Sequence, residues 1–245
     1  MAKSNERFYR HLTKTKSLTG FQVVVAETDL YIYATRQLIN EAYESIMTYR
    51  EYIESYIAQF PDFATTLVPW DAIGPAPEII RQMIEAGQKA GVGPMASVAG
   101  VIAEYVGKDL LNYSDEIIVE NGGDLFIQRN EPFVVGVYAG KSPFSHRIGI
   151  RVNHPGNSLA ICTSSGTIGH SLSFGKADAV VIRSKSAALA DAVATATANH
   201  VKSPTDISNA ISFAKKNSAI EGILIVIDDA MGAWGNMEIV PVTTA

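Results

Sequence analysis

What most constrains this chain is the stretch from Glu116 to Ile182, where short β-rich runs follow one another with no helical period between them. Glu116 to Glu120, Leu125 to Gln128, Phe133 to Tyr138, Arg147 to Val152, Ser158 to Thr163 and Ala177 to Ile182 each read as a strand. Parallel strands need a crossover of a dozen or more residues, usually a helix, and the short gaps here exclude one. Strict βαβ alternation is therefore ruled out. The expected fold class is α+β, with a mixed, largely antiparallel sheet and packed helices.

The flanking segments supply the helices. Phe21 to Ala26 and Leu30 to Ala34 form a predicted hairpin joined through Glu27-Thr28-Asp29. From Leu38 the period changes: Ile39, Ala42, Tyr43, Ile46, Tyr49, Ile53, Tyr56, Ile57 and Phe60 recur at helical spacing, with Thr35 as the expected cap and Pro61 after the end. A second helix is expected from Pro77 to Gly91, and a third begins at Gly93-Pro94. Met95 to Val106 is apolar or small almost all round, which marks a helix buried on most sides. Helices over Ala187 to His200 and Thr205 to Asn217 and strands at Gly222 to Ile227 and Glu238 to Val242 complete the reading.

Composition narrows the function classes. With 245 residues, 47% of them hydrophobic and 18% charged, the chain can bury a full core, and no linker or charge block divides it. A single domain over residues 1–245 is expected. The net charge of −5 and the absence of basic runs exclude the usual grip on nucleic acid or an anionic membrane, so neither is an expected partner. The first residues show no signal-like apolar segment and no run reaches spanning length, which points to the cytoplasm. The single cysteine, Cys162, excludes an internal disulfide and a Cys-rich metal site. The five histidines, His11, His146, His154, His170 and His200, fall at no metal-ligand spacing, so zinc is not expected.

Four constellations could carry chemistry. Gly91-Val92-Gly93-Pro94-Met95-Ala96-Ser97-Val98 opens the buried helix, where free N–H groups and the positive dipole end suit an anion; the alternative is packing that needs glycine. Glu120-Asn121-Gly122-Gly123-Asp124 offers close backbone approach and a carboxylate, although Asn-Gly is also a common hairpin turn. Thr163-Ser164-Ser165-Gly166-Thr167 begins a hydroxyl-rich loop that continues to His170 and Lys176 and could wrap a phosphate. Asp191 and Thr195 stand four apart on one helix face and could both ligate a hard cation such as Mg2+, or could belong to a solvated stripe with Asn199.

Taken in order, Gly93-Pro94-Met95-Ala96, Glu120-Asn121-Gly122-Gly123-Asp124, Thr163-Ser164-Ser165-Gly166-Thr167 and Ala190-Asp191-Ala192-Val193-Ala194-Thr195 resemble the ApbE superfamily, and most closely a small cytoplasmic branch of ApbE-like proteins. The best-known members of the superfamily are FAD:protein FMN transferases. The resemblance implies a fold with two related subdomains. It also implies Gly122, Gly123 and Asp124 beside a flavin dinucleotide, with Thr163, Ser165 and Gly166 on the ligand's other side and Asp191 and Thr195 holding Mg2+ near the pyrophosphate. The cofactors it implies are Mg2+ and FAD or a related nucleotide.

Two departures bear on activity. Flavin transferases carry H-x-x-D-P-x-x-G after T-S-G, whereas this chain has His170 but no Asp-Pro between Gly166 and Asp178. The lysine of the family's helix start is also missing from Met95-Ala96-Ser97-Val98-Ala99-Gly100. The expectation is thus a small-molecule binding protein with a Mg2+ site and His170 as the one nearby acid or base, acting as a nucleotide pyrophosphatase or transferase. The alternatives are a non-catalytic module that holds a cofactor, and a factor in sulfur assimilation toward homocysteine, with which relatives of this branch are associated. Whether the chain forms a homo-oligomer is left open.

Overall fold

A computed structural model describes residues 18–71, 74–153, 155–166 and 175–242. The chain begins with β1 (Thr19–Val25) and β2 (Thr28–Ala34), then α1 (Ile39–Gln59), α2 (Glu78–Ala90) and α3 (Val98–Leu110). Six strands follow: β3 (Ile117–Asn121), β4 (Asp124–Gln128), β5 (Phe133–Gly136), β6 (Ile148–Val152), β7 (Ser158–Ser164) and β8 (Ala179–Ser184). The last elements are α4 (Ala187–Asn199), α5 (Ile207–Ala214), β9 (Ile220–Ile227), β10 (Ala230–Gly235) and β11 (Glu238–Pro241).

Eight strands form one sheet in the order β1-β2-β3-β4-β7-β8-β9-β10, and β11-β6-β5 form a second, three-stranded sheet. Neighbouring strands pair antiparallel throughout, so the expected α+β class holds. The central strands are buried on both faces, which is why they read as continuous apolar runs rather than clean alternations. Ile117, Val119, Phe126, Ala160, Cys162, Val180 and Ile182 face the helices, while Ile118, Leu125, Ile127, Leu159, Ile161, Ala179 and Val181 face the three-stranded sheet. The molecule thus has three layers, with the large sheet between helices and the small sheet.

Small residues bring α3 and α4 together. A Cβ on Gly100 would lie 2.5 Å from the Ala187 carbonyl oxygen and 2.9 Å from Asp191 Cβ, so only glycine fits this crossing. The Glu104 carboxylate accepts the Ala187 N–H at 2.7 Å and ties α3 to the first turn of α4. Every residue of α4 from Ala187 to Ala198 is buried.

Three local expectations change. Register pairs Val25 with Thr28, so the first hairpin turns on Ala26 and Glu27 alone, with Ala26 at φ 50°, and Thr28 belongs to the strand. Thr35 does not cap α1; its N–H and hydroxyl engage the Ser114 hydroxyl at 3.0 and 3.1 Å, and Leu38 precedes the helix without a side-chain cap. β10 was not expected, because Ala230-Met231-Gly232-Ala233-Trp234-Gly235 has few β-formers; it is held as an edge strand by β9 and lies under Ile207. Among the described residues no single helix is long and apolar enough to cross a membrane; α2 and the segment Pro94–Leu110 reach that length only together, across a bend of 103°.

Candidate functional site

One end of the large sheet carries the β1–β2 turn, the β3–β4 turn and the last residues of β7. A cavity of 1290 Å³ wraps around this end, from the helical layer to the small-sheet layer. That volume lies above the about 300–1,000 Å³ of ordinary small-molecule pockets.

The structure brings most of the sequence-predicted residues to this cavity. Gly93, Met95 and Ala96 line it from the α2–α3 connection, and Asn121, Gly122, Gly123 and Asp124 from the β3–β4 turn. Thr163 and Ser165 line it from the end of β7, and Asp191 and Thr195 from α4. Ser164 points the other way and is buried. Gly166 is a packing glycine: a Cβ there would lie 2.1 Å from the Gly175 carbonyl oxygen. Thr167 and His170 lie outside the described residues.

The floor is a pair of buried carboxylates. Asp124 projects from β4 toward the helices and Asp191 from α4 toward the sheet, each 9% exposed or less, and their side chains are hydrogen-bonded to each other. Asp191 accepts the Gly100 N–H at 2.9 Å and a second N–H from Ala99, while Asp124 accepts the Thr163 N–H at 3.0 Å. Burial dominates nonetheless. It pushes Asp191 up to about 7, against the two amides and the Asp124 hydrogen bond that pull it down. Asp124 is raised well above the usual carboxylate range by burial and by the Asp191 charge. Cys162 sits against the same pair, its thiol within hydrogen-bond reach of Asp124 and 3.5 Å from the Ala187 carbonyl oxygen. Burial and the two carboxylates raise the thiol pKa, so Cys162 is no ready thiolate.

Two expected anion donors are already committed. The first turn of α3 does receive a carboxylate, but it is Asp191 of the chain itself that takes the Ala99 and Gly100 N–H groups. Ahead of it Pro94 has no N–H, the Ala96 N–H bonds the Gly93 carbonyl, and a Cβ on Gly93 would sit 1.9 Å from the Thr66 carbonyl oxygen. At the β3–β4 turn the Gly123 N–H bonds the Glu120 carboxylate at 2.8 Å. Gly122 and Gly123 keep positive φ, 64° and 108°, and bring bare backbone to the cavity. Asn121 braces the turn by donating from its amide to the Ala99 carbonyl at 3.0 Å.

Sequence reasoning missed Arg50. It lines the helical side of the cavity, bonding the Thr28 hydroxyl at 2.9 Å, Glu27 at 2.8 Å and Glu54 at 2.7 Å. It is the basic side chain among the described lining residues, and only its place on a long amphipathic helix hid it. The solvated-stripe alternative for Asp191 and Thr195 falls, since these are 9% and 8% exposed. No group of three or more His, Cys, Asp or Glu among the described residues is placed to hold a metal ion. Asp191, Thr195 and the facing Asp124 still fit a Mg2+ ion, which takes one or two carboxylates and completes its shell with phosphate and water. A cation there would remove the desolvation and like-charge penalties that now favour protonation.

In the apo form, the Pseudomonas stutzeri flavinyl transferase ApbE superposes with a TM-score of 0.56 at 13% identity, covering 89% of this chain and 93% of that one. A variant of the Vibrio cholerae flavin transferase ApbE gives 0.60 at 12% identity, covering 89% and 97%. These likenesses are of fold, and the chain is an ApbE-like α+β protein. A family model described as AbpE bacteria matches residues 10–229, and the chain belongs to that family. A UPF0280 protein of Methanococcus aeolicus is 42% identical over 204 residues, 81% of this chain and 82% of that protein. A second UPF0280 protein, from Methanocaldococcus jannaschii, is 40% identical over 222 residues, 88% of this chain and 90% of the relative.

Proposed function

We propose that this protein binds FAD or a related phosphate-bearing nucleotide together with Mg2+ and does not attach FMN to a protein. The observation that carries the reading is the Asp124–Asp191 pair. Two carboxylates from a strand and a helix meet at the floor of a large cavity, where burial makes their charge costly. Asp191 and Thr195 would hold the cation, which when bound neutralises the carboxylates and polarises phosphate oxygens. The Gly100 and Ala99 N–H groups orient the Asp191 carboxylate, and the Thr163 N–H orients Asp124. Arg50 offers a second positive group to a ligand on the same side of the sheet. Gly122 and Gly123 let the ligand lie against backbone at the turn. The ApbE fold shared with the Pseudomonas stutzeri and Vibrio cholerae flavin transferases supports a flavin-type ligand.

The absent H-x-x-D-P-x-x-G segment supports binding without protein flavinylation, because activating an acceptor hydroxyl needs a positioned base. Titration calorimetry should show FAD binding that depends on Mg2+ in the parent chain and loses that dependence in Asp191→Asn. Incubation with FAD, Mg2+ and a target protein bearing the flavinylation threonine should leave no covalent in-gel flavin fluorescence. Robust labelling, or a Mg2+ dependence that survives in the variant, would count against the reading. Release of FMN and AMP in the same incubation would identify a pyrophosphatase.

A further inference from the structure

The cavity has two chambers, one on each side of the sheet, lined by Asp191 and Thr195 on the helical side and by Val135 and Ile150 on the other. Strand parity separates them. Leu30, Ile32 and Ala34 of β2 face the helices and are fully buried, so Tyr31 and Tyr33 project toward the other side. The register sets Tyr31 beside Glu120 and Tyr33 beside Ile118, which belongs to the core under the small sheet. Both tyrosines line the cavity and are only half-buried. Val137 and Tyr138, after β5, line it from the opposite layer.

We infer that this second chamber is a subsite for a planar aromatic ring, with Tyr31 and Tyr33 as its stacking wall. The inference rests on the reading of the cavity as a nucleotide site and names where the ring of that ligand goes. The two tyrosine rings meet edge to face, centroids 5.1 Å apart at 62°, and so fix each other's orientation. Strand β1 makes room beneath them. Gly20 is paired with Tyr33, and a Cβ there would lie 2.9 Å from the Tyr31 hydroxyl and 3.0 Å from the Tyr33 ring. Between the chambers stands the Gly122-Gly123 turn, where a Cβ on Gly122 would meet nothing within 4 Å and one on Gly123 only Thr163 at 3.9 Å.

A ligand crossing that turn meets backbone and open space. The helical chamber holds Asp191, Thr195 and Arg50, whereas the second presents mainly aromatic and aliphatic surface, with the Glu120 carboxylate and Thr163 at its edge beside the turn. The ligand class that uses both is a planar aromatic group joined to phosphates through a spacer, as in a nucleotide or flavin nucleotide, rather than free pyrophosphate.

The test measures, by calorimetry with Mg2+ present, the affinity of FAD, riboflavin and inorganic pyrophosphate for the parent chain and for Tyr31→Ala, Tyr33→Leu and Tyr31→Phe. Base stacking on an aromatic side chain is worth enough that Tyr31→Ala and Tyr33→Leu should each weaken FAD and riboflavin by about fivefold or more. Pyrophosphate should bind all four proteins alike, which also reports that the variants are folded. Tyr31→Phe should bind FAD within about twofold of the parent, because it keeps the ring. FAD affinity unchanged in both truncated variants, or lost as fully in Tyr31→Phe as in Tyr31→Ala, overturns the subsite. A parent chain that binds pyrophosphate with Mg2+ but neither FAD nor riboflavin overturns the subsite and leaves the cation site standing. If the parent binds none of the three, the nucleotide-site reading falls and the subsite with it.

Discussion

At Asp191 two effects oppose each other: burial favours the neutral acid, while the Gly100 and Ala99 N–H groups favour the anion. Burial wins, lifting the group from 3.8 to about 7. A folded-state pKa raised above the unfolded value means that the fold prefers the protonated form. The associated stability is fully present below about pH 4 and is lost as pH rises through about 7, a span on the order of a few kcal/mol. In a chelating buffer the thermal midpoint should therefore fall from pH 5 to pH 8. Asp191→Asn keeps the shape and cannot titrate, so it should flatten much of that fall. A variant that retains the whole pH dependence would assign it elsewhere. Mg2+ competes with the proton for this pair and should raise the midpoint more at pH 8 than at pH 5.

Among the elements, the crossing of α3 and α4 sets the site. Gly100 serves both packing and chemistry, since it admits the α4 backbone and donates its N–H to Asp191. Gly100→Ala should cost about 1–3 kcal/mol, as overpacking usually does, and should weaken Mg2+-dependent FAD binding by displacing the carboxylate. Gly91 is the comparison. It ends α2 at φ 75° with nothing within 4 Å of its Cβ position, so Gly91→Ala should cost about 1–2 kcal/mol through backbone strain alone. Urea denaturation with FAD titration separates the two. Loss of binding in Gly91→Ala, or normal binding in Gly100→Ala, would contradict the assignment.

For the molecule as a whole, the cavity reaches from α4 and α3 on one side of the sheet to the β5 segment on the other. A ligand that fills it ties two layers whose cores are otherwise separate. At a hundredfold excess over its dissociation constant, FAD with Mg2+ should stabilise the fold by about 2.7 kcal/mol. Amide hydrogen exchange should slow in α4 and around Val135 to Tyr138 together, whereas pyrophosphate with Mg2+ should protect only the helical side. Protection by FAD confined to one layer would show that the ligand does not cross the turn.

Much of this was legible in the chain. Period-2 and helical patterns located ten of the eleven strands and the five helices to within a few residues, because local propensity and burial agree there. β10 escaped because its glycines and alanines carry no strand signal and only pairing with β9 holds it. The glycine, hydroxyl and carboxylate motifs were visible as separate turns and a helix face. Their meeting was not, since Asp191 reaches the Gly100 N–H across 91 residues and Thr163 meets Asp124 across 39. Alternation along a strand tells which residues share a face but not which layer that face will meet. Local sequence thus determined the elements and their parity, through propensity and hydrophobic period. Tertiary packing alone decided that α3's first turn would hold Asp191 rather than a free anion, that Arg50 would enter the cavity wall, and that Tyr31 and Tyr33 would face its second chamber. Those outcomes depend on which layers stack against each face of the sheet, and no local stretch of sequence encodes that.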